Sequence, residues 1–135
     1  MKYLTILVLL LALSSLEAQS HLEVCIQDLR DERGDILLEL VDTNENTLKA
    51  IIQKIDTLPC IIHIYDLENG TYALKFFHDI NSNGKLDMNW MGVPKEGFGF
   101  SNNAYGLFMP KKFEEWLFEV DGDMKIELIP KYLLK

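Results

Sequence analysis

The segment Ile61–His78, IIHIYDLENGTYALKFFH, decides the fold class. Ile62 and Ile64 alternate with His63 and Tyr65. Beyond the ENGT sequence at Glu68–Thr71, the residues Tyr72, Leu74, Phe76 and His78 alternate with Thr71, Ala73 and Lys75. A period of two sends successive side chains to opposite faces, as in a half-buried strand, whereas a helix repeats its apolar positions every three or four residues. Asn69-Gly70 between two such runs predicts a tight turn, because both residue types tolerate positive φ.

The same period recurs outward from this segment. Leu22, Val24 and Ile26 alternate with polar neighbours, Gly34 opens Ile36, Leu38 and Leu40, and Trp116, Phe118 and Val120 lead through the DGD turn at Asp121–Asp123 to Met124, Ile126 and Leu128. Short alternating runs joined by turns predict an all-β chain. The expected architecture is one antiparallel β-sandwich of the immunoglobulin- or prealbumin-like kind. One stretch departs from the pattern: in TLKAIIQKI, Leu48, Ile51, Ile52 and Ile55 fall at i, i+3, i+4 and i+7. With Asn46 or Thr47 as cap, this predicts a short helix over 47–55, and Pro59 ends any such element. From Leu86 to Lys111 no period is sustained, and glycines and prolines interrupt the chain. Its aromatic residues Trp90, Phe98, Phe100, Tyr105 and Phe108 predict one long loop, ordered against the sandwich.

The N terminus reads as a secretory leader over residues 1–18: Lys2, an apolar run from Leu4 to Leu13, then a polar exit, with cleavage after Ala18 or Ser20. That run is about half the ~20 residues needed to cross a bilayer, and no later stretch approaches that length. The expectation is an exported chain, periplasmic or secreted, without a membrane span, whose residues 19–135 form a single domain. The net charge is −8, and removing the leader leaves it unchanged. Such a balance argues against nucleic acid and anionic membranes, which are bound through basic patches, and suits a cation. Cys25 and Cys60 have two readings in an oxidising compartment. They are unrelated thiols, or they form a disulfide closing a loop of roughly 35 residues and contributing about 3 kcal/mol.

The densest chemistry lies in Asp79–Asp87, DINSNGKLD. Counting Asp79 as the first position, an EF-hand-like calcium loop takes oxygens at one, three and five, glycine at six, a carbonyl at seven and an oxygen at nine. Asp79, Asn81, Asn83, Gly84, Lys85 and Asp87 fill those places, but Trp90 occupies the twelfth, where a bidentate Glu belongs. The competing reading is a metal-free bend of Asx-turns with Gly84 at positive φ. His78 ends a strand, a place where histidines are more often packed than ligating. His21 and His63 belong to no ligand spacing, and no nucleophile-elbow motif accompanies Ser101.

The run LENGTYALKFFHDINSNGKLDMNWMGVPKEGFGFSNNA, followed by KFEEWLFEV, resembles the bacterial family catalogued as domain of unknown function 2141. The likeness rests on Leu67, Gly70 and Tyr72, on Phe77, His78, Asp79, Asn81, Asn83, Gly84, Leu86 and Asp87, and on Gly92, Pro94, Glu96, Gly97, Gly99 and Phe100 to Asn103. It implies a small exported β-sandwich and no established activity. The cysteines and the stretch from Asn44 to Pro59 are not part of that pattern. Two functions follow as expectations. One is a non-catalytic module that binds a ligand or an envelope protein, as a monomer or weak oligomer, through His78, Trp90, Glu96, Phe100, Ser101, Asn102 and Asn103, with calcium in the loop as an accessory. The other is a small envelope enzyme using His78, Asp79 and Glu96 in a cleft under the long loop. An open concavity at these residues favours chemistry, and a filled one favours scaffold.

Overall fold

Alternation of apolar residues becomes eight strands in the computed structural model, which describes residues 18–135. The expected leader lies, but for residue 18, outside the described residues. The strands are β1 (Ser20–Ile26), β2 (Asp35–Val41), β3 (Thr47–Lys54), β4 (Cys60–Leu67), β5 (Gly70–Asp79), β6 (Phe98–Phe100), β7 (Phe118–Val120) and β8 (Met124–Leu128). They form two open sheets, a smaller one ordered β4-β1-β8 and a larger one ordered β3-β2-β5-β6, with β7 also paired to β5. Leu22, Val24, Ile26, Ile62 and Ile64 of the smaller sheet and Ile36, Leu38, Leu40, Leu74 and Phe76 of the larger one belong to one buried cluster. Each such side chain stabilises the fold by about 1.5–3 kcal/mol relative to exposure. Among the described residues no helix is long and apolar enough to cross a membrane.

Three expectations are corrected. The sheets are not wholly antiparallel, because β8 runs parallel to β1, with Leu22 opposite Met124 and Ile26 opposite Leu128. The predicted helix over 47–55 is strand β3, paired antiparallel to β2. In an extended chain the helical spacing divides between faces: Leu48 and Ile52 point outward and are exposed, while Ile51 packs on the core and Ile55 is buried. Thr47, Ile51 and Ile52 are β-branched, which suits a pleated edge. The link into β3 is a tight turn in which Asp42 Oδ1 accepts the N–H groups of Asn44 and Asn46, and Glu45 takes φ 65°.

The tight turn at ENGT, thirdly, does not draw its positive φ from Asn-Gly. It carries the chain from β4 in the smaller sheet to β5 in the larger one. The positive φ falls on Asp66, at 55°, and not on Asn69 or Gly70. Asn69 instead staples this corner, its Oδ1 accepting from the Ser20 hydroxyl at 2.7 Å and from Gly122 N at 3.1 Å.

Strand β5 positions the candidate site. One side of it pairs with β2 from Ala73 to Asp79. Its other side is shared, Gly70–Tyr72 with β7 and Lys75–Phe77 with β6. The segment between Asp79 and Phe98 therefore leaves the end of β5 and returns to the same strand.

Candidate functional site

The loop after β5 is built from side chains that accept its own backbone N–H groups. Asp79 is buried; its Oδ1 accepts from Asn83 N at 3.1 Å and its Oδ2 from Gly84 N at 2.6 Å. Asn81 Oδ1 accepts from Asn83 N, and Asn83 Oδ1 from Lys85 N. The side-chain amides of Asn81 and Asn83 donate to Asp87, at 2.7 Å and at 3.0 and 3.1 Å. Those amides, Asn83's first, hold the Asp87 carboxyl below its usual range. Gly84 takes the expected positive φ, 78°. Oxygens at alternate positions do converge, but onto N–H donors. Among the described residues no group of three or more His, Cys, Asp or Glu is arranged to hold a metal ion.

Glu96 closes the loop from the far side. Buried and reached from the returning strand, its Oε1 accepts from Ile80 N at 2.9 Å and its Oε2 from Asp87 N at 3.1 Å, so one carboxylate ties both ends of the bend. His78 has no exposed surface. Its Nε2 lies 2.8 Å from the Arg33 carbonyl, which can only accept, so Nε2 carries the hydrogen. In the neutral ring Nδ1 then accepts from the Tyr132 hydroxyl, 2.9 Å away, and the Tyr132 oxygen accepts from Arg30 N at 3.2 Å. Burial pushes the Tyr132 phenol up. Gly97 admits this tyrosine, since a Cβ there would lie 2.5 Å from its ring.

Ser101 fills the gap in the β5 ladder between β6 and β7. Its Oγ accepts from Leu74 N at 2.9 Å and donates to the Trp116 carbonyl. Asn102, at φ 59°, donates from Nδ2 to the carbonyls of Glu115 and Leu117 at 3.0 and 2.8 Å, just before β7. Asn103 Oδ1 accepts from Ile129 N just after β8. Side chains expected as a binding surface thus serve as partners for backbone that the short strands β6 and β7 leave unpaired. Trp116 lies in a turn outside β7 and stacks on Phe100 with centroids 4.0 Å apart.

The long irregular segment is two small closed turns. From Asp87 to Lys95 the chain doubles back, Asn89 Oδ1 accepting from Met91 N and Val93 N. From Ala104 to Lys111 it doubles back again, with Gly106 N donating to the Met109 carbonyl. Phe98 and Tyr105 pack edge to face, as expected of an ordered loop. Trp90 and Phe108 do not pack: they sit at the tips, 91% and 86% exposed.

The sequence profile of the family described as "Uncharacterized protein conserved in bacteria (DUF2141)" matches residues 24–127. The chain belongs to that family. No curated protein matches the chain in sequence. The family match runs from within β1 to within β8, so it takes in every hydrogen bond described above that joins Asp79–Asp87 to Glu96 and Ser101 to β5.

Cys25 and Cys60 are both buried and are free. The register opposes Ile26 to Cys60 and Cys25 to Ile61. Opposed residues share a face, so Cys60 lies with Ile26 in the core and Cys25 on the other face of the sheet. Burial pushes the Cys60 thiol up to about 11 and raises that of Cys25.

Sequence reasoning missed a groove of about 420 Å³ on the outer face of the larger sheet, opposite the core. Leu37, Ile52, Phe77, Leu86 and Phe100 line it, and the Lys75–Glu39 pair, 3.0 Å apart, crosses it. The ammonium holds the Glu39 carboxyl below its usual range. A signal existed in the chain: β2, β3 and β5 carry Leu37, Ile52 and Phe77 on the face that alternation reserves for polar residues.

Proposed function

We propose that the chain is an exported, non-catalytic module whose two sheets form a β-sandwich of the immunoglobulin- or prealbumin-like kind, and that it holds a small, mainly apolar ligand in the groove on the larger sheet. One observation carries the non-catalytic part. His78, Asp79 and Glu96 are buried, and every hydrogen bond described for their side chains but one ends on backbone; the exception is a structural tyrosine. An acid or base needs a reacting atom within hydrogen-bond reach. The loop's internal bonds likewise support the metal-free bend over a calcium site.

The groove supports the binding part. Its volume lies within the usual range for small-molecule sites, its walls are apolar, and a single ion pair offers a polar handle. Titration with a hydrophobic fluorescent dye, anilinonaphthalene sulfonate, tests it. Saturable binding at one site, lost in Ile52→Glu, is expected, since Ile52 is 70% exposed and its replacement leaves the core intact. Dye binding that is absent, or unchanged in Ile52→Glu and Leu37→Glu, overturns the groove. Equal melting in calcium and in chelator is expected; a rise in calcium that Asp79→Ala removes would restore the metal.

A further inference from the structure

Two histidines with no shared spacing in the sequence meet on the outer face of the smaller sheet. Nε2 of His21, on β1, lies 2.9 Å from Nδ1 of His63, on β4. They are diagonal neighbours, since the register opposes Glu23 to His63 and Leu22 to Ile64. Both are held in place. The His21 ring stacks on Tyr65, with centroids 4.6 Å apart and planes 8° from parallel, and its backbone N–H donates to Asp123 Oδ1 at 2.7 Å. His63 leans on the same tyrosine, with centroids 5.8 Å apart. Glu23, paired with Lys125 at 3.5 Å, stands across from His63 on this face.

We propose that His21 and His63 form a two-histidine site for a divalent transition metal of the zinc type, with water in the remaining positions. Imidazole nitrogens suit zinc, copper and nickel, where calcium prefers oxygen. Two nitrogens on a tetrahedral zinc stand about 3.3 Å apart, given zinc–nitrogen bonds near 2.0–2.1 Å. The pair therefore needs to open by only a few tenths of an ångström. The hydrogen now between the rings must leave that place, moving to the other nitrogen of its own ring, so that both lone pairs face the metal. Only two protein ligands are invoked, in keeping with the lack of a larger cluster among the described residues. The site sits on the opposite sheet from the groove, and neither proposal depends on the other.

Zinc chloride titrated into the purified protein, followed by calorimetry and by the histidine ring signals in nuclear magnetic resonance, tests the proposal. One bound zinc is expected, with the ring signals of His21 and His63 shifting and those of buried His78 unmoved. His21→Ala and His63→Ala should each weaken zinc at least tenfold while Asp79→Asn leaves it unchanged. The proposal is overturned if the protein takes up no zinc, if either alanine variant binds as tightly as the parent, or if only the His78 signals move. Melting temperatures measured without metal identify a variant that has merely unfolded, and the ring signals of the parent protein then decide alone.

Discussion

At the base of the segment from Asp79 to Lys111 the side chains of Asp79, Glu96 and Ser101 are turned inward and bonded to backbone, whereas at its two tips Trp90, Met91, Leu107 and Phe108 are turned out and left bare. The difference separates two tasks that one stretch of sequence presents as a single block. Polar residues at the base serve backbone that no ladder reaches, Ser101 within β5 and Asp79 and Glu96 in the loop beyond it. Apolar residues at the tips contribute no packing, so removing them costs the fold little.

Four measurements press on that contrast. The largest effect belongs to Gly34, whose φ is 84° and whose added Cβ would lie 2.0 Å from the Asp79 carbonyl oxygen. Gly34→Ala should lower stability by about 3 kcal/mol, read as a shift in urea midpoint, because strain and overpacking add at one place. A shift below half that would mean the base yields more than its hydrogen bonds suggest. Next come Glu96→Ala, which leaves the partly buried N–H groups of Ile80 and Asp87 without an acceptor, and Ser101→Ala, which does the same to the buried Leu74 N–H, each expected to cost about 2 kcal/mol. Glu96→Gln should recover part of the loss, since one acceptor oxygen remains.

A smaller effect tracks pH. The folded Asp87 carboxyl sits below its ordinary value because Asn83 and Asn81 donate to it. A carboxylate depressed on folding stabilises the native state above its unfolded value, and that gain is lost as pH falls through the folded value. Asp87→Asn should therefore lower stability in the neutral region, leave it nearly as it was in acid, and so flatten the acid limb of the stability curve. Smallest of all, Trp90→Ser and Phe108→Ser should move stability by no more than about 0.5 kcal/mol. A larger loss would show that the tips pack after all.

Much of this was legible because alternation reports directly on two-faced strands: Leu22, Val24, Ile26, Ile36, Leu38 and Leu40 stand where their spacing predicts, inside. Strand β3 was misread because an edge with apolar residues on both faces produces the same offsets as a helical stripe. The parallel pairing of β8 with β1 leaves no local mark, since register between distant strands is decided by the core they share. The oxygen-rich loop was found from spacing alone. Whether those oxygens meet a cation or their own backbone depends on N–H directions, which composition does not encode. His21 and His63 lie 42 residues apart and come together only through the pairing of β1 with β4.

The parallel pairing has a consequence for the order in which the molecule can be made. Strand β1, with leucine, valine and isoleucine on one face, leaves the ribosome before the other described strands, yet the strand that seals its second edge is the last of them. Until residues 124–128 arrive, that edge is an open template for pairing with another nascent copy. A fragment stopped before β8 should therefore clump, with the smaller sheet as the seed.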